Sequence, residues 1–503
     1  MSQLLMSSAA NTEPALQEDR FAAFRENTVG SRHLIDTPYG RKPLLYADWT
    51  ASGRLYGPIE QRMLEDFGPL IANPHTESSM TGRLMTRAYD EARSIIRRHV
   101  HAGPEDALLF CGNGTTSAVN KLIRLMGLRL PDWLEGRLTC PPEERPVVFV
   151  SHMEHHSNLL PWQESVCDVV TVPPAADGGV DPQTLEALLY RYRSRRYKLG
   201  SFTACSNVTG IETPYPALAA AMHRHGGLCF VDFAASAPYA DIHMHPASPL
   251  EKLDAVFFSP HKFLGGPGTG GVLVFDKSLC GGLRPDEPGG GTVMWVHPGG
   301  KRRYIDDVEV REDSGTPGFL QAIRTALCIR LKEQMNDDGQ RMIARERELC
   351  GMLLDGLSGI AGCTILAGNR RDRLGIVSFT LDQIHYNLAV QLLSDRFGIQ
   401  ARGGCSCAGP YGYHLLGIGS VWSQQFIAGM NAGDQSLKPG WVRISLHPTM
   451  EDDDVRAIVA AVADIAEHGK AWMQDYRYSK QRNAWVHRSG QPEDERIADL
   501  FQL

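Results

Sequence analysis

Between residues 107 and 275 the chain alternates short apolar runs with segments whose apolar positions recur at helical spacing. The runs are Ala107-Leu108-Leu109-Phe110, Val147-Val148-Phe149-Val150, Val169-Val170-Thr171-Val172, Cys229-Phe230-Val231-Asp232, Ala255-Val256-Phe257-Phe258 and Gly271-Val272-Leu273-Val274-Phe275. None alternates apolar with polar residues, so each reads as a strand covered on both faces. Thr115 to Met126 places Val119, Leu122, Ile123 and Met126 on one helical stripe, and Pro182 to Tyr192 and Tyr215 to His225 read as further helices between strands. Right-handed strand–helix–strand crossovers then predict an α/β domain with a mainly parallel sheet and helices on both faces. Ligands of such sheets collect at the carboxyl ends of the strands.

The pattern changes after residue 316. Phe319 to Met335 and Arg341 to Leu357 predict a helical connector over 317–358. Strands Gly375 to Thr380 and Trp441 to Leu446, with helices Asn387 to Phe397 and Glu451 to His468, predict a smaller α+β domain over 359–474. Residues 1–44 read as a polar arm with some helix, 45–316 as the large domain, and 475–503 as a polar tail without a core role. There is no internal repeat and no heptad array.

Composition narrows the class. A chain of 503 residues exceeds what one hydrophobic core serves, in keeping with two domains. Its net charge of −7 argues against nucleic acid or an anionic membrane as a partner. The first residues lack the basic-then-apolar pattern of a secretory leader, and no apolar run approaches the roughly 20 residues that cross a bilayer. The 11 cysteines are scattered and odd in number, as expected of reduced thiols. These properties predict a cytoplasmic enzyme.

The densest chemistry is Phe258-Ser259-Pro260-His261-Lys262-Phe263-Leu264-Gly265-Gly266, where a buried strand ends in Ser-x-His-Lys and a glycine-rich turn. Burial lowers a lysine's pKa, which frees the amine to form an imine with an aldehyde. Ser259 and His261 are placed to donate to a phosphate. Asp232 ends an earlier strand, where a carboxylate suits a protonated pyridine nitrogen. Gly112-Asn113-Gly114-Thr115-Thr116 is a glycine turn feeding a helix, and its amides and hydroxyls suit a phosphate at the helix N-terminus. Each feature has a bland counterpart: a surface lysine, a strand-end acid, a routine helix cap. Their order on the strand ends of one sheet gives them weight together.

With these segments in hand, the chain resembles the class V, fold-type I pyridoxal phosphate (PLP) enzymes, most closely the cysteine desulfurase and selenocysteine lyase branch. The resemblance runs from about Tyr46 to about His468. It is carried by Asp48-Trp49-Thr50-Ala51-Ser52, Asn73-Pro74-His75, Gly114-Thr115-Thr116, Glu154-His155-His156-Ser157-Asn158 with Pro161-Trp162, Ser206-Asn207, Val231-Asp232, Ser259-Pro260-His261-Lys262 and Ser314-Gly315-Thr316-Pro317. It implies a mainly parallel seven-stranded sheet in the large domain. It also implies PLP as cofactor, joined as a Schiff base to Lys262, which doubles as acid and base. His155 would stack on the ring, Asp232 bind its nitrogen, and Asn207 sit near its oxygen and the substrate. Thr115, Thr116, Ser259 and His261 would hold the phosphate, with Thr316 reaching it from the partner subunit of a homodimer. Arg443, Arg402 and His75 would face a small amino-acid substrate, Arg443 clamping its carboxylate. No metal is implied.

The same resemblance places Cys407, in Arg402-Gly403-Gly404-Cys405-Ser406-Cys407-Ala408, as the thiol that takes sulfur from cysteine as a persulfide, releasing alanine, with a sulfur-acceptor protein as a further partner. Three departures bear on that step. Ala235 stands where many relatives carry glutamine, Gly409 to Gly440 is an apparent insertion, and Cys405-Ser406 replaces a frequent His-His. An aminotransferase, C–S lyase or epimerase acting on another amino acid is the alternative. A non-catalytic sulfur carrier is another, disfavoured by the intact Asp232, Lys262 and His155.

Overall fold

The computed structural model describes residues 13–134, 141–336, 341–490, 497 and 499–502. Parts of the expected arm (1–12), connector (337–340) and tail (491–496) lie outside them.

The large domain is built on seven strands: β1 (Asp106–Cys111), β2 (Val147–Ser151), β3 (Asp168–Val172), β4 (Lys198–Thr203), β5 (Leu228–Asp232), β6 (Ala255–Phe258) and β7 (Gly271–Asp276). Their spatial order is β1-β7-β6-β5-β4-β2-β3. Strands β2 to β6 pair parallel, while β7 runs antiparallel to both β1 and β6. The unbroken apolar runs follow from two-sided burial. Val148, Leu199, Phe230, Phe257 and Leu273 face Val119, Leu122 and Trp162 on one side. Phe149, Phe202, Val231, Val256 and Val272 face Leu185, Leu218 and Met222 on the other. Fully burying such a side chain is worth about 1.5–3 kcal/mol. Strand β3 departs from the expectation: it is an edge strand, and Thr171 is exposed.

Two long helices, Phe319–Met335 and Arg341–Ser358, lead to the small domain. Its antiparallel sheet has the order β8 (Cys363–Ile365), β9 (Ile376–Leu381), β11 (Trp441–Ser445), β10 (Arg402–Gly404), backed by helices Tyr386–Phe397 and Asp452–Trp472. The segment Leu45–Tyr46, expected to open the large domain, pairs in parallel with Ile399–Gln400 of the small one. Residues 409–440 form two helices, Gly409–Leu415 and Ser420–Asn431.

The tail also differs from expectation. Tyr476–Ser479 and Ala484–His487 form a hairpin, and buried Tyr476 donates to Asp395 at 2.9 Å. Asn483 donates to the Tyr386 hydroxyl at 2.6 Å, and the Gln435 amide donates to the Lys480 carbonyl at 2.9 Å. The hairpin thus packs on the small domain and on residues 409–440. Its polar look misled because hydrogen bonds as well as apolar area anchor it.

Candidate active site

The parallel strands deliver their following loops to one end of the sheet. The turn after β1 opens the helix Gly114–Leu125; His155 follows β2, Asn207 follows β4, Asp232 ends β5, and Ser259 to Lys262 follow β6. Across the gap stand Arg443 of β11 and Arg402 of β10. Together they line a cavity of about 260 Å³.

One end of the cavity is a cradle of donors. The Thr115 amide donates to Ser259 Oγ at 2.9 Å, and the two hydroxyls lie 2.9 Å apart. Thr116 and Ser157 share a 2.6 Å hydroxyl contact. Gly114 has φ of +60°, and a Cβ there would come within 2.7 Å of Ser259 Oγ, so only glycine lets the turn close. His261, held neutral by burial and the nearby Lys262 charge, has its pKa lowered to about 4.

The middle of the cavity holds Asp232 and Lys262. Burial pushes Asp232 up to about 6, against the pull of the Ala234 N–H (2.8 Å) and of Lys262. Burial lowers Lys262 to about 8, helped by Arg443 and Arg402 and opposed by Asp232. His155 caps the helix His156–Gln163, its Nδ1 accepting from the Ser157 amide at 3.0 Å, and burial with the Lys262 charge lowers it to about 3. Behind it, fully buried Glu154 accepts from Ser151 Oγ (2.6 Å), the Thr203 amide (2.9 Å) and Asn158 Nδ2 (2.7 Å). Burial still pushes Glu154 up to about 7.

At the mouth, Arg443 is only 3% exposed and donates to Asp48 at 2.8 Å and to the Asn207 carbonyl at 3.0 Å. Arg402 is half-exposed and donates to the other Asp48 oxygen at 2.9 Å. Cys407 is exposed at the rim, in a turn where Ser406 and Cys407 adopt φ of +50° and +55°. Left-handed backbone at such residues costs about 1–2 kcal/mol each. The turn is held by Asn207 Nδ2 donating to the Ser406 carbonyl (2.8 Å), the His156 amide donating to the Cys407 carbonyl (2.8 Å), and the Gly409 amide donating to His156 Nε2 (3.0 Å).

Two expected residues stand elsewhere within the single chain. Thr316 lines a neighbouring cleft of about 540 Å³ that shares Thr116 with the first cavity. His75 lies 3.7 Å from Asp313 and edge-on to Tyr89, outside the cavity lining. Conversely, Asp48, Ser157, Thr50 and Ser406 line or frame the cavity without having been singled out. Asp48, Thr50 and Ser157 lie inside the segments quoted for the resemblance, and Ser406 inside the stretch Arg402 to Ala408, which was the available signal. Among the described residues no group of three or more His, Cys, Asp or Glu is placed to hold a metal ion. No described helix is long and apolar enough to cross a membrane.

This fold, with a lysine, an aspartate and a cluster of hydroxyls and amides at the strand ends, defines a class of protein, and comparison with known proteins gives the family. The family model of class-V aminotransferases matches residues 45–458, and the chain belongs to that family. A protein of Halalkalibacterium halodurans named Probable cysteine desulfurase is 28% identical over 382 residues, 75% of this chain and 87% of the relative. One of the same name from Staphylococcus aureus (strain COL) is 28% identical over 387 residues, covering 75% and 86%. Among solved structures, the apo cysteine desulfurase of Thermococcus onnurineus NA1 superposes with a TM-score of 0.70 at 22% identity, covering 88% of this chain and 98% of the other. The cysteine desulfurase CsdA of Escherichia coli gives 0.66 at 22% identity, covering 90% and 98%.

Proposed function

We propose that this chain is a PLP-dependent cysteine desulfurase that takes sulfur from L-cysteine onto Cys407 as a persulfide and releases alanine. The observation that carries the reading is that Cys407 stands at the mouth of the same cavity whose floor holds Lys262 and Asp232. The names of the two bacterial relatives point the same way.

The residues present fit PLP. Thr115, Thr116, Ser259, His261 and the amides opening the helix at Gly114 suit its phosphate, Asp232 suits a protonated ring nitrogen, and Lys262 suits its aldehyde. When bound, PLP supplies a carbonyl for the substrate amine and a ring that draws electrons from the α-carbon. The chain's own residues supply the rest. Arg443 orients the substrate carboxylate. Lys262 Nζ, whose pKa burial lowers to about 8 and whose neutral share is thereby raised, takes and returns the α-proton. His155, kept neutral by its lowered pKa, would cover the ring and bring no competing charge there. Cys407 Sγ attacks the substrate sulfur; the S–S bond forms as the C–S bond breaks, and the bonding electrons stay with the carbon. Two copies of the chain form the functional unit, with Thr316 of each protomer serving the neighbour's phosphate cradle, and a sulfur-acceptor protein removes the persulfide.

The test is incubation of the purified protein with PLP and a panel of amino acids, following alanine, sulfide, pyruvate and keto acids. Cysteine should give alanine and sulfide in equal amounts in the presence of a thiol reductant, and Cys407→Ala should lower sulfide release at least a hundredfold. Keto-acid formation that survives Cys407→Ala would make the chain an aminotransferase instead.

A further inference from the structure

We propose that Cys405 is a resolving thiol: it attacks the persulfide formed on Cys407, releases the outer sulfur as hydrosulfide and closes a Cys405–Cys407 disulfide. This role rests on the reading of Cys407 as the persulfide thiol.

The 11 cysteines of the chain are scattered, with the exception of this pair. Cys405 and Cys407 share one tight turn. The Ala408 amide donates to the Cys405 carbonyl at 3.0 Å, and Ser406 and Cys407 between them have φ of +50° and +55°. Positive φ at both central residues is the pattern of a type I′ turn, in which the chain folds back on itself. Two steps of about 3.8 Å folded back in this way bring the Cα atoms of Cys405 and Cys407 within the range of about 4.4–6.8 Å that a disulfide spans. Both backbones are pinned, Cys405 by Ala408 and Cys407 by the His156 amide, which donates to its carbonyl at 2.8 Å. Closing the disulfide therefore calls for rotation of the two side chains and leaves the turn in place.

The surroundings of the two thiols give them different roles. Cys407 is exposed and lines the cavity, where it meets the substrate sulfur. Cys405 is half-buried, packs against the hydrophobic core and does not line the cavity. It is placed to meet the sulfur of Cys407, not that of the substrate. The Cys405 thiolate attacks Cys407 Sγ; the bond between the two cysteine sulfurs forms as the bond to the outer sulfur breaks, and that electron pair leaves with the outer sulfur. The two cysteines are oxidised to a disulfide, the outer sulfur is reduced to hydrosulfide, and the Cys405 proton passes to solvent at the rim. An external dithiol then reduces the disulfide by exchange and restores both thiols, as suits a short-loop disulfide at an exposed rim. A sulfur-acceptor protein competes with Cys405 for the same persulfide, so the pair gives the sulfur a second exit, as free sulfide.

The experiment mixes the PLP-loaded, reduced enzyme with one equivalent of L-cysteine per chain, without added thiol, and then blocks free thiols with an alkylating reagent. Alanine, sulfide and the mass of the peptide carrying Cys405 and Cys407 are read. The wild type should release about one sulfide per alanine and give an unalkylated peptide about 2 Da lighter than the dithiol. Cys405→Ser should release less than about a tenth of that sulfide per alanine, with Cys407 alkylated and about 32 Da heavier by the retained sulfur. A dithiol added afterwards should reopen the wild-type disulfide and allow a further turnover. A wild-type peptide that keeps the extra sulfur on either cysteine would overturn the proposal and leave the desulfurase reading standing. Sulfide release without a disulfide, or equal sulfide per alanine in Cys405→Ser, would do the same. Should Cys405→Ser fail to fold, the wild-type peptide masses decide alone. If the wild type forms no alanine, the desulfurase reading and the role of Cys405 fall together.

Discussion

Lys262 shows how a common residue acquires reactivity from its surroundings. Burial lowers its pKa to about 8, with Arg443 and Arg402 adding to the effect and Asp232 opposing it. The sign has a direct consequence: the neutral amine is the nucleophile, and its share grows as pH rises through that value. The rate at which PLP attaches to the cofactor-free protein should therefore rise about tenfold between about pH 7 and pH 9, levelling off above. Stopped-flow absorbance after mixing with PLP checks this, and a rate still climbing toward the ordinary lysine range would contradict it. At this scale the Ser-x-His-Lys segment was readable because a lysine is costly at the end of a buried strand. Glu154, fully buried and satisfied by the nearby Ser151 and Asn158 and by the Thr203 amide of β4, was not, because nothing in its own stretch showed that the acid turns inward.

Among the elements, the turn carrying Cys407 depends on the helix that begins after His155. His156 grips it twice, once through its backbone amide and once through Nε2, while Asn207 holds Ser406. Burial lowers the His156 pKa, so the ring stays neutral and keeps Nε2 as an acceptor. His156→Ala should slow sulfide release from cysteine about tenfold, because a strained turn without its clamps samples other positions. The absorbance change on binding cysteine should be unaffected, since Lys262 and Asp232 are untouched. Equal losses in both readouts would mean that His156 serves stability alone. The expected insertion at Gly409 to Gly440 lies directly beyond this turn, and its first helix is anchored through Tyr411, whose hydroxyl lies 3.2 Å from that of Thr209.

For the whole molecule, the cleft lined by Thr316 opens beside the phosphate cradle and shares Thr116 with it. The proposed homodimer brings the partner's Thr316 to that cradle. Sedimentation should then give a particle of twice the 55.5 kDa chain mass, and Thr316→Ala should loosen PLP roughly tenfold, the loss of a charge-assisted hydrogen bond, without dissociating it. A monomer that retains PLP with full affinity would rule this arrangement out.

The α/β class, six of the seven strands of the large sheet, and the lysine, aspartate and glycine turn at the strand ends were legible in the sequence, because two-sided burial writes itself as unbroken apolar runs and buried charge is rare enough to stand out. Strand β4 was not, because Lys198, Gly200, Ser201 and Thr203 break its apolar run although the whole strand is buried. The edge position of β3, the docking of the tail hairpin and the sharing of Asp48 between Arg402 and Arg443 were decided only by the tertiary structure. Each depends on which distant segments meet: an edge strand has the composition of a central one, a hairpin held by polar contacts looks like a loose tail, and an acid nearly 400 residues from its arginine leaves no local trace.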